Sequence, residues 1–271
     1  MWKGRYAMDT TFCFHPRYNE FDKCLLDIIP EYESLKTYYQ EFDEKMRMPD
    51  LYGKALRVSS KQLPQIYKIL QEICEDLSIA IPDVFVYENV YYEIESYGTT
   101  KPWVELSTKI VSDFNADELK FVLARELFKI KYSINERYAV AEQIIKIAQG
   151  SLSSIVLADS ISDMFQVKYA QWSRIAQYSA DNYGYLQARN LSACISAVLK
   201  FIFNNDFLVK NINVKEYLAD ISIINEMNDT ISIFTKNDEK VPYGQFRIKN
   251  LIAFASSELV IKHITKRRDI L

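Results

Sequence analysis

The apolar positions of this 271-residue chain keep a helical period over most of its length and switch to a strand period in one central stretch. Over residues 19–47, Phe21, Leu25, Ile28 and Leu35 form a stripe that predicts helix, interrupted at Pro30. A second helix is expected from Leu63 or Pro64 to Leu77. Pro64 suits its first turn, and Ile66, Ile69, Leu70 and Ile73 share one face. Then the period changes. Val84-Phe85-Val86-Tyr87, Tyr91-Tyr92-Glu93-Ile94 and Trp103-Val104-Glu105-Leu106 read as short strands separated by turn residues such as Asn89 and Gly98, which predicts a small antiparallel sheet.

From Asn115 the helical period returns. Asn115 suits an N-cap with Glu118 as its reciprocal partner, and Leu119, Val122, Leu123, Leu127 and Ile130 recur at helical spacing. Glu126 falls inside that stripe, where a carboxylate is costly unless paired or used. Arg125 and Lys129 flank it. By periodicity alone these cations read as a solvated helix face, with Glu126 at its edge. A longer helix is expected over Phe165 to Ala188, with Phe165, Tyr169, Trp172, Ala176, Ala180 and Tyr183 apolar, and Arg174, Gln177, Asp181 and Gly184 on a neighbouring polar stripe. Helices over residues 191–203 and 247–262 follow, separated by a stretch rich in Asn and Asp.

No repeat, low-complexity tract or linker divides the chain, so a single domain is expected: a helical part over 1–50, a core over 60–190 and a helical part over 191–271. Six glycines and seven prolines are few for this length, which favours long helices over a turn-rich β sandwich. A net charge of -3 argues against nucleic acid as the partner. The cluster Lys262, Lys266, Arg267 and Arg268 reads as a solvated helix end whose cations suit the helix dipole. Cys13, Cys24, Cys74 and Cys194 form no CxxC pair. With no leader pattern at Met1-Trp2-Lys3-Gly4, reduced thiols and a cytoplasmic location are expected. No uninterrupted apolar run is long enough to span a bilayer; the nearest candidate, Ile144 to Ala158, is broken by Lys146, Gln149, Gly150 and three serines, so no membrane span is expected. Peripheral membrane contact stays open.

Many short segments, in order, resemble the HtpX-like and CAAX-prenyl-protease-like zinc metallopeptidases, particularly their soluble members. They are His15-Pro16, Ile29-Pro30, Ala55-Leu56-Arg57-Val58-Ser59, Gln62-Leu63-Pro64, Pro82-Asp83-Val84-Phe85-Val86-Tyr87 and Val104-Glu105-Leu106-Ser107. Asp117-Glu118-Leu119-Lys120-Phe121-Val122-Leu123-Ala124 is similar to the run before that family's His-Glu-x-x-His. Tyr178-Ser179-Ala180-Asp181 resembles the segment near its third ligand, and Pro242-Tyr243 with Phe246-Arg247-Ile248-Lys249-Asn250-Leu251 a late element. The resemblance implies an α+β, mostly helical fold with a zincin-like core, its small antiparallel sheet packed on the active-site helices.

The departures from that family carry the functional reading. Arg125-Glu126-Leu127-Phe128-Lys129 stands where the resemblance implies the His-Glu-x-x-His motif, and Gln177 where it implies the glutamate ligand. Glu126 keeps the general-base position, and Asp181 and Arg174 take positions that support the ligands. The implied peptide-binding edge strand runs through Tyr91, Tyr92, Glu93, Ile94 and Gly98, with Glu93-Ile94 in place of the usual Asn-Ala. A guanidinium or an ammonium has no lone pair for zinc. No metal cofactor is therefore expected, and with His15 and His263 the only histidines, no Ser-His or Cys-His pair is available. The expectation is a pseudopeptidase that binds a peptide or partner protein, as an accessory or regulatory subunit. The alternative is a hydrolase or peptide-modifying enzyme with metal-free or unusual-metal chemistry at the same site. Arg125 and Lys129 are expected to pair with Glu126 and Asp181 as a staple between two helices.

Overall fold

Pro30 and Glu31 break the first apolar stripe. Helix α1 (Tyr18–Leu26) ends before them, and α2 (Tyr32–Tyr39) starts after Glu31, whose backbone is left-handed at φ 48. A π-helical turn (Gln40–Glu44) carries α2 into α3 (Lys45–Lys54). The computed structural model describes residues 9–151 and 156–268. Met1 to Gly4, the middle of the 144–158 run and the side chains of Lys266, Arg267 and Arg268 lie outside the described residues. The N-terminal helices join the main core, where Cys13, Tyr18 and Leu25 are buried with residues of the central helices.

Strand β1 (Leu56–Arg57) precedes α4 (Pro64–Leu77), which starts on Pro64 and buries Ile66, Leu70 and Ile73. Strands β2 (Asp83–Tyr87), β3 (Ile94–Tyr97) and β4 (Trp103–Ser107) complete a sheet of order β1-β2-β4-β3. The sheet is mixed, which corrects the antiparallel expectation: β1–β2 and β3–β4 are antiparallel, but β2 and β4 run parallel. The β2–β3 connection, residues 88–93, leaves β3 at the edge with a gap beside β2, and the β3–β4 turn returns the chain into that gap. Gly98 sits there at φ 80, and a Cβ on it would fall 2.7 Å from the Trp103 ring. That turn inserts β4 between β2 and β3, so β4 runs back in the direction of β2.

The third strand also starts three residues later than its alternation suggested. The Tyr91 N–H donates to Asn89 Oδ1 (2.9 Å), that of Tyr92 to Asn204 Oδ1 (3.0 Å) and that of Glu93 to Ser107 Oγ (3.2 Å). Side-chain acceptors hold this backbone before a strand ladder can. Strand β1 is two residues long and leaves no period to read.

Helix α5 (Thr108–Asp113) leads to α6 (Ala116–Lys131). The expected cap forms there: Asn115 Oδ1 accepts from Glu118 N–H (3.0 Å), and Glu118 Oε2 accepts from Asn115 N–H (2.8 Å). Then come α7 (Ile134–Ser151), α8 (Val156–Ala188) and α9 (Leu191–Phe203). The polar stretch forms four short helices, α10 (Asp206–Lys210), α11 (Val214–Ala219), α12 (Ile221–Glu226) and α13 (Thr230–Asp238). The last expected helix is two, α14 (Gly244–Ala255) and α15 (Glu258–Arg268). Among the described residues no helix is long and apolar enough to cross a membrane.

Helices α6 and α8 pack side by side at the centre. Gly184 permits their approach: a Cβ there would lie 2.7 Å from the Phe121 ring and 2.9 Å from Arg125 Cγ. With Gly184 against α6, Gln177 and Asp181, seven and three residues earlier on α8, face the same way. This crossing positions the candidate site.

Candidate functional site

The solvated-face reading of α6 does not survive its surroundings. Arg125 is 5% exposed, Lys129 3% and Glu126 0%, because β3, α7 and α8 all pack on this helix. Three consecutive-turn charges inside a core demand partners. The fold supplies them from opposite sides.

On one side stands the sheet edge. The hydrogen-bonded pairs of β3 with β4 fall at Glu93, Glu95 and Tyr97, so the Ser96 N–H points away from β4. It donates to Glu126 Oε2 at 2.9 Å, and the Ser96 hydroxyl donates to the same oxygen at 2.9 Å. Lys129 Nζ stands 2.9 Å from Glu126 Oε1 as an ion pair, too far off line for a hydrogen bond. The Lys129 ammonium also lies 5.7 Å from the centre of the Tyr138 ring. Arg125 Nη1 is 3.9 Å from Oε1.

On the other side stands α8. Arg125 Nε donates to Asp181 Oδ1 (2.6 Å), and its Nη2 donates to Gln177 Oε1 (2.5 Å). Gln177 Nε2 donates onward to the Tyr138 hydroxyl at 3.2 Å. Asp181 is wholly buried and takes a second arginine: Arg247 of α14 donates to both of its oxygens, at 2.9 and 2.8 Å. Burial alone would raise the Asp181 carboxyl. Arg247 and then Arg125 more than reverse this and hold it below its ordinary value.

The expected grouping of Arg125, Glu126, Lys129, Gln177 and Asp181 is therefore one connected assembly. Arg174 is not part of it. Its guanidinium turns to the carbonyls of Lys236 (3.3 Å) and Glu239 (2.7 Å) near the end of α13. The arginine that braces Asp181 is Arg247, to which the sequence reading gave no role. Its signal was the one that exposed Glu126: a charge four residues before Leu251 and beside Ile248, on the buried face of its helix.

These residues do not fit a zinc ion. Arg125 and Lys129 carry only donors, and the Gln177 oxygen is taken by Arg125. Among the described residues no three His, Cys, Asp or Glu side chains converge as a metal-binding group. His15 stacks on Tyr178, and His263 lies against Phe12. Glu126 is equally committed. Its oxygens face Ser96 and Lys129.

A cleft of about 300 Å³ opens beside the assembly. Its floor is the face of β3 and β4 carrying Glu95, Tyr97, Trp103 and Glu105, and α7 walls it with Tyr138 and Glu142. Asp43 and Arg47 stand at the opposite wall. None of Tyr91, Tyr92, Glu93, Ile94 and Gly98 lines it. Tyr91 is exposed, and Tyr92 is buried with its hydroxyl donating to Asp113 at 2.6 Å. The Asn135 amide of α7 donates to the Gly98 carbonyl at 2.5 Å. The outer side of β3 is thus partly used by Glu126 and α7. Burial pushes the Glu95 carboxyl up to about 7, with Lys129 opposing the shift.

Over 206 residues, 75% of its length, the chain is 23% identical to the plastoglobule-localized metallopeptidase 48, chloroplastic, of Arabidopsis thaliana. It spans 55% of that protein. The match supports a metallopeptidase-like relationship. No family profile and no solved structure matches the chain.

Proposed function

We propose that this chain is a metallopeptidase relative of the HtpX-like and CAAX-prenyl-protease-like type that has exchanged its metal for internal ion pairs and kept a peptide-binding cleft. In this reading it acts as an accessory or regulatory subunit that holds a peptide or protein segment. The observation that carries it is the buried assembly in which Arg125, Glu126, Lys129 and Asp181, at the positions the resemblance assigns to the metal, its base and their support, pair with one another and with Ser96 and Arg247. A dication removed from between Glu126 and Asp181 would leave two buried anions unpaired. Three cations now pair with them, tying α6 to α8 and α14. Four free thiols, three of them buried, agree with a reducing, cytoplasmic setting.

The test is metal analysis of protein purified without metal-affinity resin, with zinc added back, alongside a peptide-array binding screen. No zinc uptake together with peptide binding is expected. Stoichiometric zinc would overturn the exchange, and a silent array the peptide cleft. A second reading, metal-free acid–base chemistry, has one observation in its favour: Glu95, whose carboxyl is lifted towards 7, faces open cleft space. Mass-spectrometric detection of a peptide product that Glu95→Gln abolishes would select it.

A further inference from the structure

The cleft holds more negative charge than the protein neutralises. Four carboxylates line it: Asp43, Glu95, Glu105 and Glu142. Glu105 is bound from both sides, by Arg47 in a two-pronged ion pair and by the Trp103 indole N–H at 3.0 Å. Asp43 accepts from the Gln143 amide at 2.5 Å and lies 3.4 Å from Lys146. Those contacts use both of the cleft's own cations. Lys129, the next cation towards Glu95, is engaged 2.9 Å from Glu126, and Lys240, which acts on Glu142, lies over the Tyr169 ring.

Glu95 is left without an ion-pair or hydrogen-bond partner among the described residues. The Glu95 side chain is half-buried and lines the cleft. Glu142 waits at the exposed rim of the same space. The walls between them are aromatic. Tyr97 stacks on Trp103 with ring centres 5.9 Å apart, and Tyr138 of α7 lines the cleft. A half-buried, unpaired carboxylate in an aromatic-walled cleft is a receptor for a cation on an apolar stem. The cleft, about 300 Å³, has room for one long side chain and not for a folded domain.

We propose that the cleft is a specificity pocket for the basic side chain, arginine or lysine, of a bound peptide. Glu95 receives the cationic head, Glu142 guards the rim, and Tyr97, Trp103 and Tyr138 hold the stem. This rests on the peptide-binding reading above and names what that site selects.

The experiment is calorimetric titration of the full chain at pH 8.5, where Glu95 is ionised. Four capped pentapeptides differ only at the centre, which is arginine, lysine, glutamine or norleucine; agmatine serves as the free cation. The arginine and lysine peptides should bind at least about tenfold more tightly than the norleucine peptide, and Glu95→Gln should remove that preference. Glu142→Gln, at the exposed rim, should weaken it partially and guards against a Glu95 variant that fails to fold. Equal binding of all four peptides would overturn the basic pocket and leave the peptide-binding reading intact. Agmatine binding without peptide binding would uphold the cation site and overturn the peptide as its source. No binding of any probe would overturn both.

Discussion

Replacing Asp181 with asparagine tests whether the charges in the core act as a staple. Asp181 is 0% exposed and lies between Arg125, 5% exposed, and Arg247, 4% exposed. Three guanidinium N–H groups converge on it at 2.6, 2.8 and 2.9 Å. The five buried charges Arg125, Lys129, Arg247, Glu126 and Asp181 sum to +1, and Asp181→Asn raises this to +2. Arginine cannot shed its proton to escape. At an effective dielectric of 20 and a charge separation near 4 Å, each arginine is worth about 4 kcal/mol of attraction before desolvation. Removing one member of such a buried pair costs about 3–5 kcal/mol net. With a urea m-value of about 3 kcal/mol/M, the unfolding midpoint should fall by about 1–1.7 M at pH 7. The pH dependence has a fixed sign. Because the folded Asp181 carboxyl sits below its ordinary 3.8, its contribution is complete above that value and is lost as pH falls further. The gap between wild type and variant should therefore be flat above about pH 5 and close only in strong acid. A loss under about 1 kcal/mol at pH 7, within the range of a surface ion pair, would refute the staple.

Other outcomes follow from the same geometry. Gly184→Ala should cost about 1–3 kcal/mol in thermal unfolding, because its Cβ would meet the Phe121 ring and Arg125 at under 3 Å; an unchanged melting temperature would mean that α6 and α8 can part freely. The triple change Arg125→His, Lys129→His, Gln177→Glu should confer stoichiometric zinc binding, read by elemental analysis of the purified protein. Failure of a folded triple variant to take zinc would remove the assignment of these positions to former ligands.

How much of this was readable beforehand differs by feature. The capped start of α6, the Pro64 start of α4 and the central strands depend on contacts a few residues apart, so their signals lie in the chain itself. The start of β3 was missed because Tyr92 is held by Asn204, 112 positions away, and no local pattern carries that bond. Arg174 and Arg247 show the same limit from the other side. Both are arginines on amphipathic helices, and only the packing of α14 against α8 decides that Arg247 reaches Asp181 while Arg174 turns to backbone carbonyls near the end of α13.

The sequence by itself determined that the chain is largely helical around a few short strands, and that Arg125 and Lys129, two donors-only cations, flank Glu126 on an apolar face. Those properties are local, since residue chemistry and spacing define them. The tertiary structure alone decided that the cations are buried, that Glu126 is tied to a sheet edge, and that Glu95 lines the cleft without a partner among the described residues. Burial and charge pairing are sums over groups distant in the chain, and only the packed crossing of α6, α8 and α14 beside the β3 edge brings those groups together.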